Sequence, residues 1–159
     1  MEDEIEITLT VNGEAMRTRV PTRQSLVDFL RYGLELTGSH VGCEHGVCGA
    51  CTVRLNGEIV RGCLVFAVQA DGQSVETIEG ASDSGELADL QTAFHERNAL
   101  QCGYCTPGML LTAQDLLGAN PSPSREEIRE ALSANYCRCT GYHAIVDAIE
   151  RVAKERSGE

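Results

Sequence analysis

The chain has 159 residues, enough to bury about 70% of the surface its unfolded form exposes, so folding needs no covalent framework. Thirteen Lys and Arg against 24 Asp and Glu leave a formal charge of −11, which disfavours nucleic acid or an anionic membrane as partner. No apolar run approaches the ~20 residues of a membrane span. The acidic start, Met1-Glu2-Asp3-Glu4, lacks the basic and apolar segments of a secretory leader and predicts a cytoplasmic protein. In such a compartment the eight cysteines point to metal ligation or redox chemistry rather than to disulfides.

In chain order, residues 5–11 alternate apolar and polar as a half-buried strand does, Asn12-Gly13 is a tight-hairpin signal, and residues 15–20 form the returning strand. Helical spacing over 25–31 puts Leu26, Phe29 and Leu30 on one face. A glycine- and cysteine-rich loop follows over 38–51, then a second hairpin turning at Asn56-Gly57 and a last strand over 75–78. This half reads as a small mixed sheet crossed by one helix. The run 79–85 is small, polar and acidic, which predicts a linker. Beyond it, helical periodicity covers 87–97, 107–117, 124–134 and 143–156. Ser124 with Glu127 three residues on is a capping-box signature, and four helices in so short a span predict a bundle.

Cys43, Cys48 and Cys51 have the C-x4-C-x2-C spacing of a plant-type [2Fe–2S] site, with Cys63 as the fourth thiolate. Gly42, Gly46 and Gly49 let the loop backbone turn its N–H groups toward sulfur. His45 within the loop reads as solvent-facing, since four cysteines already complete the coordination. A second set has Cys102 and Cys105 heading one predicted helix and Cys137 and Cys139 heading another. Thr106 and Thr140 are expected as N-caps and Pro107 at the first helical position; helix N-termini favour thiolates. Structural zinc also takes four cysteines in a tetrahedron, and spacing alone leaves it open for the second set.

The segments Gly42-Cys43-Glu44-His45-Gly46-Val47-Cys48-Gly49-Ala50-Cys51, Gln101-Cys102-Gly103-Tyr104-Cys105-Thr106-Pro107-Gly108 and Cys137-Arg138-Cys139-Thr140-Gly141-Tyr142 together resemble the small iron–sulfur subunit of the xanthine oxidase family of molybdenum hydroxylases. The resemblance spans nearly the whole chain. It implies an α+β fold: an N-terminal β-grasp plant-type ferredoxin domain over 1–80, then an all-α four-helix-bundle [2Fe–2S] domain over 86–159. It implies that Cys43, Cys48, Cys51 and Cys63 hold a first [2Fe–2S] cluster near a flavin. Cys102, Cys105, Cys137 and Cys139 would hold a second near molybdenum, with Gln101 and Cys139 approaching the pterin.

The implied partners are a large molybdopterin-binding subunit and a medium FAD-binding subunit, assembled as a dimer of heterotrimers, with no catalytic residue on this chain. Because the sequence stops after the second cluster domain, an N-heterocycle or carbon monoxide type of complex is expected. A free-standing two-cluster carrier and a zinc-stabilised interaction module are the rival functions. Outside the resemblance, Gln101 reads as a cap or solvent-facing residue and Tyr104 and Tyr142 as packing residues.

Overall fold

The computed structural model describes residues 3–158. Strands β1 (Glu4–Val11) and β2 (Glu14–Pro21) pair antiparallel from Glu4 opposite Pro21 to Val11 opposite Glu14. The two-residue turn works because Asn12 and Gly13 both take positive φ, at 49° and 85°, as the right-handed twist of a hairpin requires. Ile7, Leu9 and Val11 share a phase and are buried. The expected helix is one turn, α1 (Leu26–Asp28), continued as a π-helical turn over Phe29–Gly33. Ser25 caps it by accepting the Asp28 N–H at 3.1 Å, and Leu26, Phe29 and Leu30 face the core.

Strands β3 (Thr52–Leu55) and β4 (Glu58–Arg61) form the second hairpin. A 3-10 turn (Ala67–Ala70) leads to β5 (Ser74–Glu76), which inserts between β1 and β3, parallel to the first and antiparallel to the second. The five-stranded order β2-β1-β5-β3-β4 is the mixed sheet of a β-grasp domain.

The expected linker is instead helical. Residues Ile78–Asp83 form α2, and Ile78 and Ala81 pack into the core of the second half. Small residues read as linker composition, but here they permit close packing: a Cβ on Gly80 would stand 2.4 Å from Asn12 Oδ1. The Glu79 carboxylate accepts the Gly38 N–H at 2.7 Å and the Thr77 hydroxyl at 2.5 Å, which docks the segment onto the first half.

Helices α3 (Ala88–Glu96), α4 (Thr106–Ala119), α5 (Arg125–Leu132) and α6 (His143–Ser157) follow the predicted periodicities. Their apolar faces meet in a core containing Leu90, Phe94, Met109, Leu111, Ile128 and Ile149, separate from the sheet core. Among the described residues no helix is long and apolar enough to cross a membrane.

The capping box at α5 forms as expected. Ser124 Oγ accepts the Glu127 N–H at 3.3 Å and Glu127 Oε2 accepts the Ser124 N–H at 2.7 Å. Ser124→Ala is therefore expected to cost about 1 kcal/mol, read as a lower urea midpoint. The Ser124 N–H holds the Glu127 carboxyl below its usual 4.5. The stabilisation from this half of the box is thus present above that pH and is lost as pH falls through the folded value.

Candidate metal centres

The first four thiols lie on a loop that coils tightly before β3 and on the turn leaving β4. Glu44, Gly46 and Gly49 take φ of 57°, 84° and 74°. These reversals turn successive N–H groups inward, the arrangement of an anion-binding nest. The Cys48 N–H reaches Cys43 Sγ at 3.4 Å. The Gly62 N–H donates to the Cys51 carbonyl at 3.0 Å, which brings Cys63 beside the buried Cys51. His45 is exposed, with Nδ1 2.6 Å from the Cys43 carbonyl oxygen, and is not turned toward the thiols as a ligand.

The second four lie where the chain enters α4 and where it enters α6. Cys139 Sγ is 3.6 Å from Cys102 Sγ, and Cys105 is within hydrogen-bond reach of Cys137. The expected caps differ. Cys105 itself is the N-cap of α4 and Thr106 its first residue, with Pro107 second; Tyr142, at φ 70°, is the N-cap of α6. Thr140 serves a thiol instead of a helix end. Thr140 Oγ1 donates to Cys137 Sγ at 3.2 Å and accepts the Tyr142 N–H at 3.2 Å. Thr106 Oγ1 is buried beside Cys105 with no partner among the protein's own atoms. The Tyr104 N–H reaches Cys102 Sγ at 3.5 Å, and the Tyr142 hydroxyl accepts the Cys137 N–H at 2.8 Å.

The thiols stand two and two: Cys43 with Cys48, Cys51 with Cys63, Cys102 with Cys139, Cys105 with Cys137. Among the described residues no three Cys, His, Asp or Glu side chains converge as they would on one ion. A mononuclear zinc gathers four thiolates on a single centre, whereas a [2Fe–2S] core takes two on each iron. The donor set therefore fits two iron–sulfur clusters better than two zinc ions, and the N–H and hydroxyl donors suit an anionic group.

Ionisation is uneven within the pairs. Desolvation opposes the Cys43 thiolate, but N–H donors from His45, Cys48 and Val47 outweigh it and bring the thiol down to about 6. Burial pushes Cys51 and Cys105 up to about 12. Burial also opposes ionisation of Cys137, yet the Thr140 hydroxyl and the N–H groups of Cys139 and Thr140 hold it below the usual thiol range. Loading a metal must displace the protons of the raised thiols, so it favours higher pH. In the metal-free chain at neutral pH, Cys43 is expected to be alkylated by iodoacetamide first and Cys51 and Cys105 last, as peptide mapping would show.

The two sites are joined directly. The Tyr136 N–H, adjacent to Cys137, donates to the Cys48 carbonyl at 2.8 Å. His40 and Tyr104 stack with ring centroids 4.4 Å apart, and the Tyr104 hydroxyl donates to the Val41 carbonyl at 2.7 Å. Gln101 is exposed and its Nε2 donates to the Cys139 carbonyl at 2.9 Å, which brings it to the second site. The joining residues Asn135, Tyr136 and His40 carry no spacing signal. The one hint in the sequence is Asn135 in the turn two residues before Cys137.

Residues 9–81 match the model of the 2Fe–2S iron–sulfur cluster binding domain, and residues 77–150 that of the [2Fe–2S] binding domain. The gamma subunit of caffeine dehydrogenase from Pseudomonas sp. (strain CBB1) is 54% identical over 92% of this chain and 90% of its own length. The small subunit of nicotine 6-hydroxylase from Paenarthrobacter nicotinovorans is also 54% identical, over 92% of this chain and 88% of its own. The crystal structure of quinoline 2-oxidoreductase from Pseudomonas putida 86 superposes with a TM-score of 0.90 at 49% identity, covering 98% of both chains. With two [2Fe–2S]-binding domains in this order and relatives of matching length, the chain belongs to the iron–sulfur subunits of the xanthine oxidase family of oxidoreductases.

Proposed function

We propose that this chain is the electron-transfer subunit of a molybdenum hydroxylase. It would pass electrons from a molybdopterin centre on a large partner subunit, through the second and then the first [2Fe–2S] site, to FAD on a medium partner subunit. The observation that carries this reading is the pair of four-thiol sites, each divided two and two, joined by the hydrogen bond from the Tyr136 N–H to the Cys48 carbonyl. Bound there, each cluster supplies a one-electron carrier, and two in series make a relay.

The chain's own residues hold the sulfurs and bias their charge. The Cys48 N–H and the Thr140 hydroxyl point at Cys43 and Cys137, favouring thiolate over thiol there, and the Tyr104 N–H points at Cys102. In support of the proposed order, Gln101 and Cys102 are exposed at the second site, where a pterin-bearing partner would reach them. The Gln101–Cys139 bond keeps the glutamine amide beside a ligand, where it can orient an approaching ring. Caffeine, nicotine and quinoline, named for the three relatives, are all N-heterocycles, so we assign an N-heterocycle to the complex in preference to carbon monoxide or an aldehyde.

The dithionite-reduced protein is expected to give two distinct [2Fe–2S] EPR signals and about four irons per chain. Cys63→Ser should remove one signal and Cys137→Ser the other. One signal with bound zinc, or loss of both signals in a folded single variant, would refute the relay.

With the co-purified partner subunits, anaerobic addition of an N-heterocycle is expected to bleach the cluster absorbance. Bleaching by carbon monoxide or an aldehyde, and by no heterocycle tried, would overturn the substrate assignment.

A further inference from the structure

The two cysteine sites meet across an interface built from bare backbone. A Cβ on Gly108 would stand 2.2 Å from the Gly49 carbonyl oxygen. A Cβ on Gly49 would stand 2.6 Å from Asn135 Nδ2 and 2.7 Å from the Ala134 carbonyl. Gly49 lies between Cys48 and Cys51 in the first loop, and Gly108 lies in the first turn of α4, three residues after Cys105. No side chain of any size fits at this point without the two halves moving apart.

A polar lock surrounds the contact. Asn135 is 1% exposed; its Nδ2 donates to the Gly49 carbonyl at 3.4 Å and its Oδ1 accepts the Thr112 hydroxyl at 3.1 Å. The Arg61 guanidinium donates to the Thr52 hydroxyl at 2.5 Å and to the Ala134 carbonyl at 2.8 Å, tying β4 to the same turn. A buried amide that satisfies both halves in this way specifies one arrangement of its neighbours, because any shift leaves polar groups unpaired.

We infer that Gly49, Gly108 and Asn135 are positioning residues for electron transfer, which set the separation of the two cysteine sites by letting backbone meet backbone and locking it there. The inference rests on the two-cluster reading above. Tunnelling through protein weakens steeply with distance, whereas a cluster's potential follows from its own ligands, hydrogen bonds and exposure. The Asn135 amide bonds the Gly49 carbonyl and the Thr112 hydroxyl and no sulfur, so this contact governs rate and leaves potential alone. To restore ordinary contact with the Gly49 oxygen, an alanine at 108 must push the halves about an ångström apart.

The test uses the full chain loaded with both clusters. Gly108→Ala is expected to keep both EPR signals and both midpoint potentials, to weaken the magnetic splitting between the reduced clusters, and to slow intramolecular electron transfer severalfold after flash reduction. Gly118→Ala, in the same helix but facing open space, should change neither splitting nor rate. If Gly108→Ala does not fold, Asn135→Ala decides the question, since it removes the lock without adding bulk and should weaken the splitting in the same direction. Unchanged splitting and rate in the folded variant, with both signals intact, would overturn the inference. A wild-type chain with a single cluster signal would instead refute the two-cluster reading and the inference with it.

Discussion

Crowded sulfur is the constraint on which the structure depends. To hold a cluster, all four cysteines of a site must be thiolates, which repel one another when brought together, and the net charge of the whole chain is already negative. Each site meets the problem with fixed donors. At the first, positive-φ residues point N–H groups at Cys43; at the second, the Tyr104 N–H and the Thr140 hydroxyl serve Cys102 and Cys137. The loop coil, the offset helix starts and the left-handed Tyr142 all follow from aiming those donors. Regular helix caps are given up where a sulfur needs the group more.

The remaining charge is handled locally. Arg54 pairs with Glu76 and Glu86, Arg125 with Asp147 and Glu150, and Arg156 with Asp89. Arg54 is the least exposed of these arginines, and desolvation works against its charge, but the two carboxylates outweigh it and raise its pKa. The more exposed pairs of Arg125 and Arg156 add little stability. The Arg125 pairs link α5 to α6, and the Arg54–Glu86 pair links β3 to the start of the helical half.

Much of this was legible in the residues. The two Asn-Gly turns, the alternation of β1 and the periodicities of α3 to α6 arise from local chemistry that the sequence carries openly. The Ser124–Glu127 box did too. The cysteine spacings announced both sites and, through the family resemblance, their cofactor. The reading missed α2 because Gly80, Ala81 and Ser82 have the composition of a linker, and only the closeness of Asn12 explains why small residues are needed there. It misplaced Thr140 because a cap preference says nothing about a sulfur competing for the hydroxyl, and it misplaced Thr106 by one residue, since α4 starts at that threonine with Cys105 as its cap. Asn135 and Tyr136 were silent for a different reason: their partners lie in the first loop, 86 residues away for the Asn135–Gly49 bond.

That sequence separation has a consequence for biosynthesis. All four thiols of the first site have been synthesised once Cys63 is added, and the strands that frame them are complete by Glu76. The groups that close over the Cys48 and Gly49 carbonyls come only with Asn135 and Tyr136, after nearly the whole helical half has been synthesised. Until those residues are added, the first cysteine loop lacks the contacts that close one side of it. Cys137 and Cys139 follow, and the Tyr142 hydroxyl that accepts the Cys137 N–H stands at the start of α6, the last helix. In chain order, the first site's thiols come early and the groups that close over its loop come late.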